Sequence, residues 1–334
     1  MSMGKYILIH ITATTISGNP YRDVESPNFK CKMLYYAYFD EAGNQIGRSK
    51  HIQLDRVHIP AELADDIQKS EVIKIAWDAG KTRIYASQII GYTPHHYIDP
   101  SGWIDMRTLA RINGCAAESI MKTASYYSVY SKADLNNDRF PMVLKILNCI
   151  TKDKLINLPH LSSYYVNQSV NDKGVLLNNK VLSAGVKLIK LYYDAINDFS
   201  LIYEYPVDSN RIKRELLEKY GVSDDDESIY TLLDTEGRLT DMEKGLIHIY
   251  RFINSSTVKA INKCAAETCS DGYLRGLISC WSDTMTGRYG GTSFFDRICR
   301  YPQIDLDILI KHISYIDKVS IHDSEIIIYY LNYE

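Results

Sequence analysis

The chain has 334 residues, with 38 lysines and arginines against 41 aspartates and glutamates, for a net charge of -3. Apolar residues make up 46% and charged residues 24%, which excludes a disordered chain, and the length favours two domains over one core. No global positive field advertises nucleic acid, so any contact with it has to come from a local basic patch.

In chain order, Tyr6 to Ala13 alternate and are rich in β-branched types, which predicts a strand. MLYYAYFDEAGNQIGRSKHIQL reads as a hairpin whose turn lies at Glu41 to Gly43. Pro60-Ala-Glu-Leu-Ala-Asp-Asp opens a helix, with acids placed to complement the dipole. VIKIAW reads as a short buried strand, and Lys81 to Ile90 as a helix. Residues 104 to 127 read as mainly helical. This order predicts a mixed α/β sheet domain over residues 1–165. A mainly helical region follows over 166–334. It holds amphipathic helices at Asn178 to Asp198, at Ser209 to Tyr220 with Ser209 as N-cap, and at Asp241 to Glu267. Asp224-Asp225-Asp226-Glu227 reads as a solvated loop, and short strands are expected after Asp271-Gly272.

Seven cysteines, Cys31, Cys115, Cys149, Cys264, Cys269, Cys280 and Cys299, form an odd set without a CxxC pair. That reads as reduced thiols in a cytoplasm and against a zinc site. The first apolar run is too short for a targeting segment, and none nears the roughly 20 residues of a membrane span. The 27 tyrosines read mainly as core and surface aromatics rather than base-stacking platforms. His95-His96 reads as an exposed loop, because adjacent side chains diverge. No GxSxG, GxGxxG or GxxxxGK[ST] loop is present, so no cofactor is expected.

Five collinear segments carry a resemblance. RDVESPNFKCKMLYYAYFDEAGN, EVIKIAWDAGKTRIYASQIIGY and WIDMRTLARINGCAAESIMKTASYYSV are similar to successive parts of the 3′-5′ exonuclease domain of phage-type family A DNA polymerases. NDKGVLLNNKVLSAGVKL resembles the linker and first thumb helix. DGYLRGLISCWSDTMTGRYGG resembles the thumb-to-palm strand, with Thr286, Gly287, Arg288 and Tyr289 as its T-G-R-aromatic signature. The resemblance implies an RNase H-like exonuclease-type α/β (α+β) domain followed by a mainly helical thumb-like domain with a truncated palm start, where HDSEIIIYYLNYE and its Asp323 echo the first palm motif.

The family's exonuclease holds two metal ions on carboxylates, because magnesium demands oxygen ligands. Residue by residue, His10 and Thr12 stand where the resemblance implies the first acids, Thr82 where it implies the second motif's acid, and Lys152 where it implies the third's. No catalytic residue and no metal are therefore expected. Asp78 and Asp153 are the acids from which a rearranged nuclease site could be built. Lys259, Lys263, Arg275, Arg288, Arg297 and Arg300 form the best basic set, suited to DNA through its backbone phosphates; scattered surface cations are the other reading.

The expected function is a non-catalytic, polymerase-like binding or scaffolding factor in phage DNA replication or host interference. A replication protein or a separate polymerase subunit is the expected protein partner, and the cytoplasm of the host cell the expected location. The alternatives are a subunit of a split polymerase completed by a palm-fingers chain, and a nuclease with rearranged acids.

Overall fold

The structure, a computed structural model, describes residues 6–116, 119–130, 139–151, 161–221, 228–229, 231–234, 239–279 and 290–291. It divides into two compact units. The first comprises Met1–Leu176 and Glu267–Arg297, and the second Leu177–Ala266 and Ile298–Glu334. The expected boundary at 165/166 falls inside a helix, Leu161–Lys173.

The first unit begins with strand β1, Tyr6–Ala13, and a short helix α1, Pro20–Asp23. The expected hairpin follows as β2, Cys31–Phe39, and β3, Gln45–Gln53, turning at Gly43 with φ 82°. Then come α2 (Ala61–Gln68), β4 (Ile73–Ala76), α3 (Ala79–Ile90) and β5 (Trp103–Asp105). Helices α4 (Met106–Ile112), α5 (Ile120–Tyr126), α6 (Phe140–Ile150) and α7 (Leu161–Lys173) complete the run before strand β6, Val175–Leu176. The helical reading of 104–127 is thus corrected at its start. Ile104 and Asp105 belong to a strand, because they pair in parallel with Ile75 and Ala76.

The strands form one mixed sheet in the order β3-β2-β1-β4-β5. β1 runs antiparallel to β2 and parallel to β4, so it lies at the centre. Ile7, Leu8 and Ile9 are all fully buried, as a strand covered on both faces requires. Tyr6 and Leu8 face a core built with Ile104, Leu109, Phe140, Val143 and Ile146. Ile7, Ile9 and Ile11 face the opposite core, with Leu63, Ile67, Tyr85, Trp103 and Tyr164. Fully burying each such aliphatic side chain contributes about 1.5–3 kcal/mol. The edge strand β3, QIGRSKHIQ, is exposed and charged, which discourages edge pairing.

Helix α7 is held by a buried ion pair. Arg83, fully buried on α3, donates to both oxygens of Asp172 on α7 at 2.6 and 2.9 Å, and to the carbonyl of Ile98 at 2.6 Å. The Tyr21 hydroxyl donates to the same carboxylate at 2.8 Å. Gly174 then reverses the chain at φ 70°; a Cβ there would meet the Leu274 carbonyl oxygen at 2.5 Å. This close approach lets β6 pair with β7, Tyr273–Leu274. Asn171 extends the return segment. Its amide donates to the carbonyl of Ile278 in β8 (Ile278–Ser279) at 2.7 Å and its oxygen accepts from the Ile278 N–H at 2.9 Å. β8 pairs with β9, Gly290–Gly291.

The second unit contains α8 (Asn179–Ile202), α9 (Ser209–Tyr220), a 3₁₀ turn at Thr231–Asp234, α10 (Asp241–Asn254) and α11 (Ser256–Glu267). Its core joins Ile196, Ile212, Leu216, Leu246, Ile247 and Phe252, with Tyr192 stacked on Phe252 at 3.8 Å. Two sequence readings are corrected. Asp208, not Ser209, caps α9, accepting from the Arg211 N–H at 2.8 Å, while the Ser209 hydroxyl accepts from Asn254. The predicted helix over 241–267 is two helices, broken at Ser255, whose ψ of 123° is extended. Residues 224–227 and the segment HDSEIIIYYLNYE lie outside the described residues.

These interactions can be tested through stability. Asp172→Ala leaves Arg83 buried and uncompensated, and should destabilise the first unit by about 3–5 kcal/mol in denaturant titration. In the second unit, Thr240 and Glu243 form a reciprocal capping box at the start of α10, and Lys219 pairs with Glu243. Burial raises the Glu243 carboxyl, but hydrogen bonds from Lys219 and Thr240 outweigh it and hold the group at about 2. A depressed acid contributes stability above the ordinary carboxylate range and loses it as pH falls towards about 2. Thr240→Ala should cost about 1 kcal/mol, and Glu243→Gln should flatten the acid limb of the stability–pH curve.

Candidate nucleic-acid interface

The first unit holds a cleft of about 300 Å³ at the carboxyl ends of β4 and β5. Ligands gather at such strand ends in open α/β sheets, because the following helices start there. Here an aspartate, two residues past β4 and at the last position of β5, caps the next helix. Asp78 accepts from the Lys81 N–H at 3.1 Å, and Asp105 from the Thr108 N–H at 2.7 Å. The second oxygen of Asp105 accepts from the Ala79 N–H at 2.8 Å, and that of Asp78 is paired with Arg107 at 3.1 Å. Burial, then the neighbouring charge of Asp78, pushes the Asp105 carboxyl up to about 6.

Helix α7 supplies another wall through Tyr164, Gln168 and Asn171. Tyr164 and Gln168 are four residues apart and so share a helix face. Gln168 comes so close to α3 that a Cβ on Gly80 would lie 2.7 Å from its side-chain oxygen. The Tyr164 hydroxyl and the Arg107 Nε are buried without hydrogen-bond partners among the described residues. Burial, then Asp105, raises the Tyr164 phenol well above its ordinary value, so it is a donor and not an anion. The loop of Gly18 is fixed by buried Asp23, which accepts from the Ser17 N–H at 2.6 Å and from its hydroxyl at 2.9 Å. Lys81, Arg107 and Arg111 also line the cleft, giving three cations against two aspartates.

The expected acid positions do not build this cleft. His10 and Thr12 extend the β1 face of Tyr6 and Leu8, opposite Tyr35 and Met33 of β2. Thr82 is 7% exposed on α3. None of the three lines the cleft, and Lys152 and Asp153 lie outside the described residues. Asp78 does line it, but its described acidic neighbour is Asp105.

The basic set disperses as well. Arg275 is 5% exposed; it grips both oxygens of Asp271 at 2.8 and 2.7 Å and donates to the Asp172 carbonyl at 2.7 Å. It is a folding contact, which corrects its reading as a DNA-facing cation. Lys259 and Lys263 are exposed one turn apart on α11 in the second unit. Arg288, Arg297 and Arg300 lie outside the described residues. The sequence reading missed Lys81, Arg107, Arg111, Asp105, Tyr164 and Gln168. The signal present in the sequence was the repeat of a buried strand, then aspartate, then helix, in IAWDAGK and GWIDMRT.

No protein-family model matches the chain, and no curated protein matches it. Among solved structures it is similar to the POL domain of Pol1 from M. smegmatis in complex with DNA primer-template and dNTP. The TM-score is 0.50 at 13% sequence identity, over 86% of this chain and 51% of that one. The fold is DNA polymerase-like. The chain spans about half the length of the polymerase structure that it matches. Among the described residues no helix is long and apolar enough to cross a membrane.

The raised Asp105 carboxyl makes the charge of the cleft depend on pH, and no histidine among the described residues lines it. Burial and the charge of Asp78 make this carboxyl take up a proton more readily than an ordinary aspartate, so the cleft becomes more positive as pH falls. Affinity for an anion should therefore rise as pH falls from about 7.5 to about 5.5, across the raised Asp105 value. Asp105→Asn should remove that dependence in a phosphate or oligonucleotide titration.

Proposed function

We propose that this chain is a DNA polymerase-like protein that binds nucleic acid without hydrolysing or extending it. Its first unit is read as an RNase H-like, degenerate 3′-5′ exonuclease-type domain, and its second as a thumb-like helical domain. The strand order β3-β2-β1-β4-β5 supports the first part, and the similarity to a polymerase domain solved with primer-template supports the reading as a whole.

The observation that carries the binding reading is the state of the two cleft aspartates. Two-metal phosphodiester hydrolysis needs carboxylates free to bridge cations. Asp78 is neutralised by Arg107 and spends its other oxygen on a helix cap. Asp105 spends both oxygens on backbone N–H groups. With Lys81 and Arg111 beside them, the arrangement suits an anionic backbone. Phosphate binding of this kind gives affinity with little sequence preference.

The test is fluorescence anisotropy with labelled single strands and primer-template duplex across a salt series, with Mg²⁺ or Mn²⁺ present in parallel reactions resolved on gels. Binding should weaken steeply with salt. Lys81→Ala or Arg111→Ala should lower affinity several-fold and flatten the log–log slope by about 0.7 for each single-strand phosphate that is no longer neutralised. The labelled strand should keep its length. Shortening that disappears in Asp78→Ala or Asp105→Ala would replace this reading with a rearranged nuclease, and salt-independent binding would remove the phosphate role.

A further inference from the structure

Away from the cleft, three segments distant in sequence meet in the first unit. Glu25 follows α1, His95 lies in the loop after α3, and Asp271 lies between α11 and β7. His95 Nδ1 is 3.3 Å from Glu25 Oε1 and 3.4 Å from Asp271 Oδ2, and one ligand atom from each of the three residues lies within 4.8 Å of the other two. His96 turns away, with its ring 3.0 Å from the Thr93 hydroxyl.

The Nδ1 atom of His95 is buried and makes no hydrogen bond among the described residues, although two carboxylate oxygens lie 3.3 and 3.4 Å away. Two carboxylates converge on this one nitrogen, so the corner is electronegative and suits a cation, either a proton on Nδ1 or a metal ion in its place. The two separations from His95 fit the metal ion: one bound at about 2.0–2.1 Å in a tetrahedral shell holds its ligand atoms about 3.3–3.4 Å apart.

The surrounding groups orient all three ligands, as metal ligands require. The Ser270 hydroxyl lies 3.4 Å from His95 Nε2, where it can accept that N–H and leave Nδ1 free to ligate. The same hydroxyl donates to Glu25 Oε1 at 3.2 Å, and the Ser270 N–H donates to both Glu25 oxygens at 3.1 and 2.8 Å. Arg22 donates to Glu25 Oε2 at 2.8 Å, and Arg275 holds Asp271 through both oxygens. The Glu25 side chain is only 4% exposed, so its orientation is fixed.

We propose that Glu25, His95 and Asp271 form a site for a divalent transition-metal ion of the zinc type, ligated by His95 Nδ1 and one oxygen of each carboxylate, with the fourth position left to water. An imidazole with two carboxylates is a borderline nitrogen–oxygen donor set, which suits zinc better than magnesium. The ion staples the α1–β2 loop, the loop after α3 and the return segment at Asp271. It binds the folded chain and so stabilises it by mass action.

The experiment uses the full chain, stripped with chelator, in calorimetric titration with zinc chloride and in thermal unfolding. One equivalent should bind, raise the melting temperature and be lost in His95→Ala, with circular dichroism reporting the fold. If His95→Ala does not fold, His95→Gln, which keeps the bulk, carries the comparison. On the unaltered protein, zinc-edge X-ray absorption should show only nitrogen and oxygen neighbours. No binding, binding unchanged in the His95 variants, or sulfur neighbours from cysteines would each overturn the site.

Discussion

A buried guanidinium–carboxylate pair organises the first unit. Arg83 loses its water on α3, and the Asp172 carboxylate on α7 replaces it with two charge-assisted hydrogen bonds. Burial opposes the charge of Arg83, yet Asp172 and its neighbours raise the guanidinium above its usual value. Tyr21 and the carbonyl of Ile98 fill remaining hydrogen-bonding positions. The pair thus ties α1, α3, α7 and the segment before β5 together. Without α7 in this register, Tyr164, Gln168 and Asn171 would not form a wall over the strand ends.

The cleft follows from that register together with two helix caps. A capping aspartate is a common local device, and each of Asp78 and Asp105 serves one. Parallel pairing of β4 with β5 sets the two caps side by side. Burial and their mutual repulsion raise Asp105, while Arg107 neutralises Asp78. The same aspartates that start two helices therefore set the charge of the cleft, and their carboxylates are already engaged before any ligand arrives.

Arg275 shows how a sequence reading of charge goes astray. By composition it belongs with the exposed lysines Lys259 and Lys263. In the fold it is enclosed by Asp271, the Asp172 carbonyl and the ring of Tyr273 at 5.1 Å. An arginine buried with its partners and one offered to phosphate look alike in sequence, because burial depends on segments far away along the chain. His95 is the reverse case. Beside His96 in the sequence it is an ordinary loop residue; beside Glu25 and Asp271 in the fold it is part of a ligand set.

The sequence by itself determined what depends on local periodicity and turn chemistry. The hydrophobic alternation of Tyr6 to Ala13, the hairpin through Gly43, the helix after Pro60 and the long amphipathic α8 were all legible, since each is encoded within a few residues. Local pattern failed where pairing or a single backbone angle decided. Trp103 to Asp105 became a strand by pairing with β4, Ser255 broke a continuous helical pattern, and Asp208 displaced Ser209 as a cap. Only the tertiary structure could bring Asp105 beside Asp78, set Tyr164 above them, and join Glu25, His95 and Asp271. Those neighbours are chosen by chain crossings and buried charge, whose partners lie tens to hundreds of residues away and leave no periodic trace.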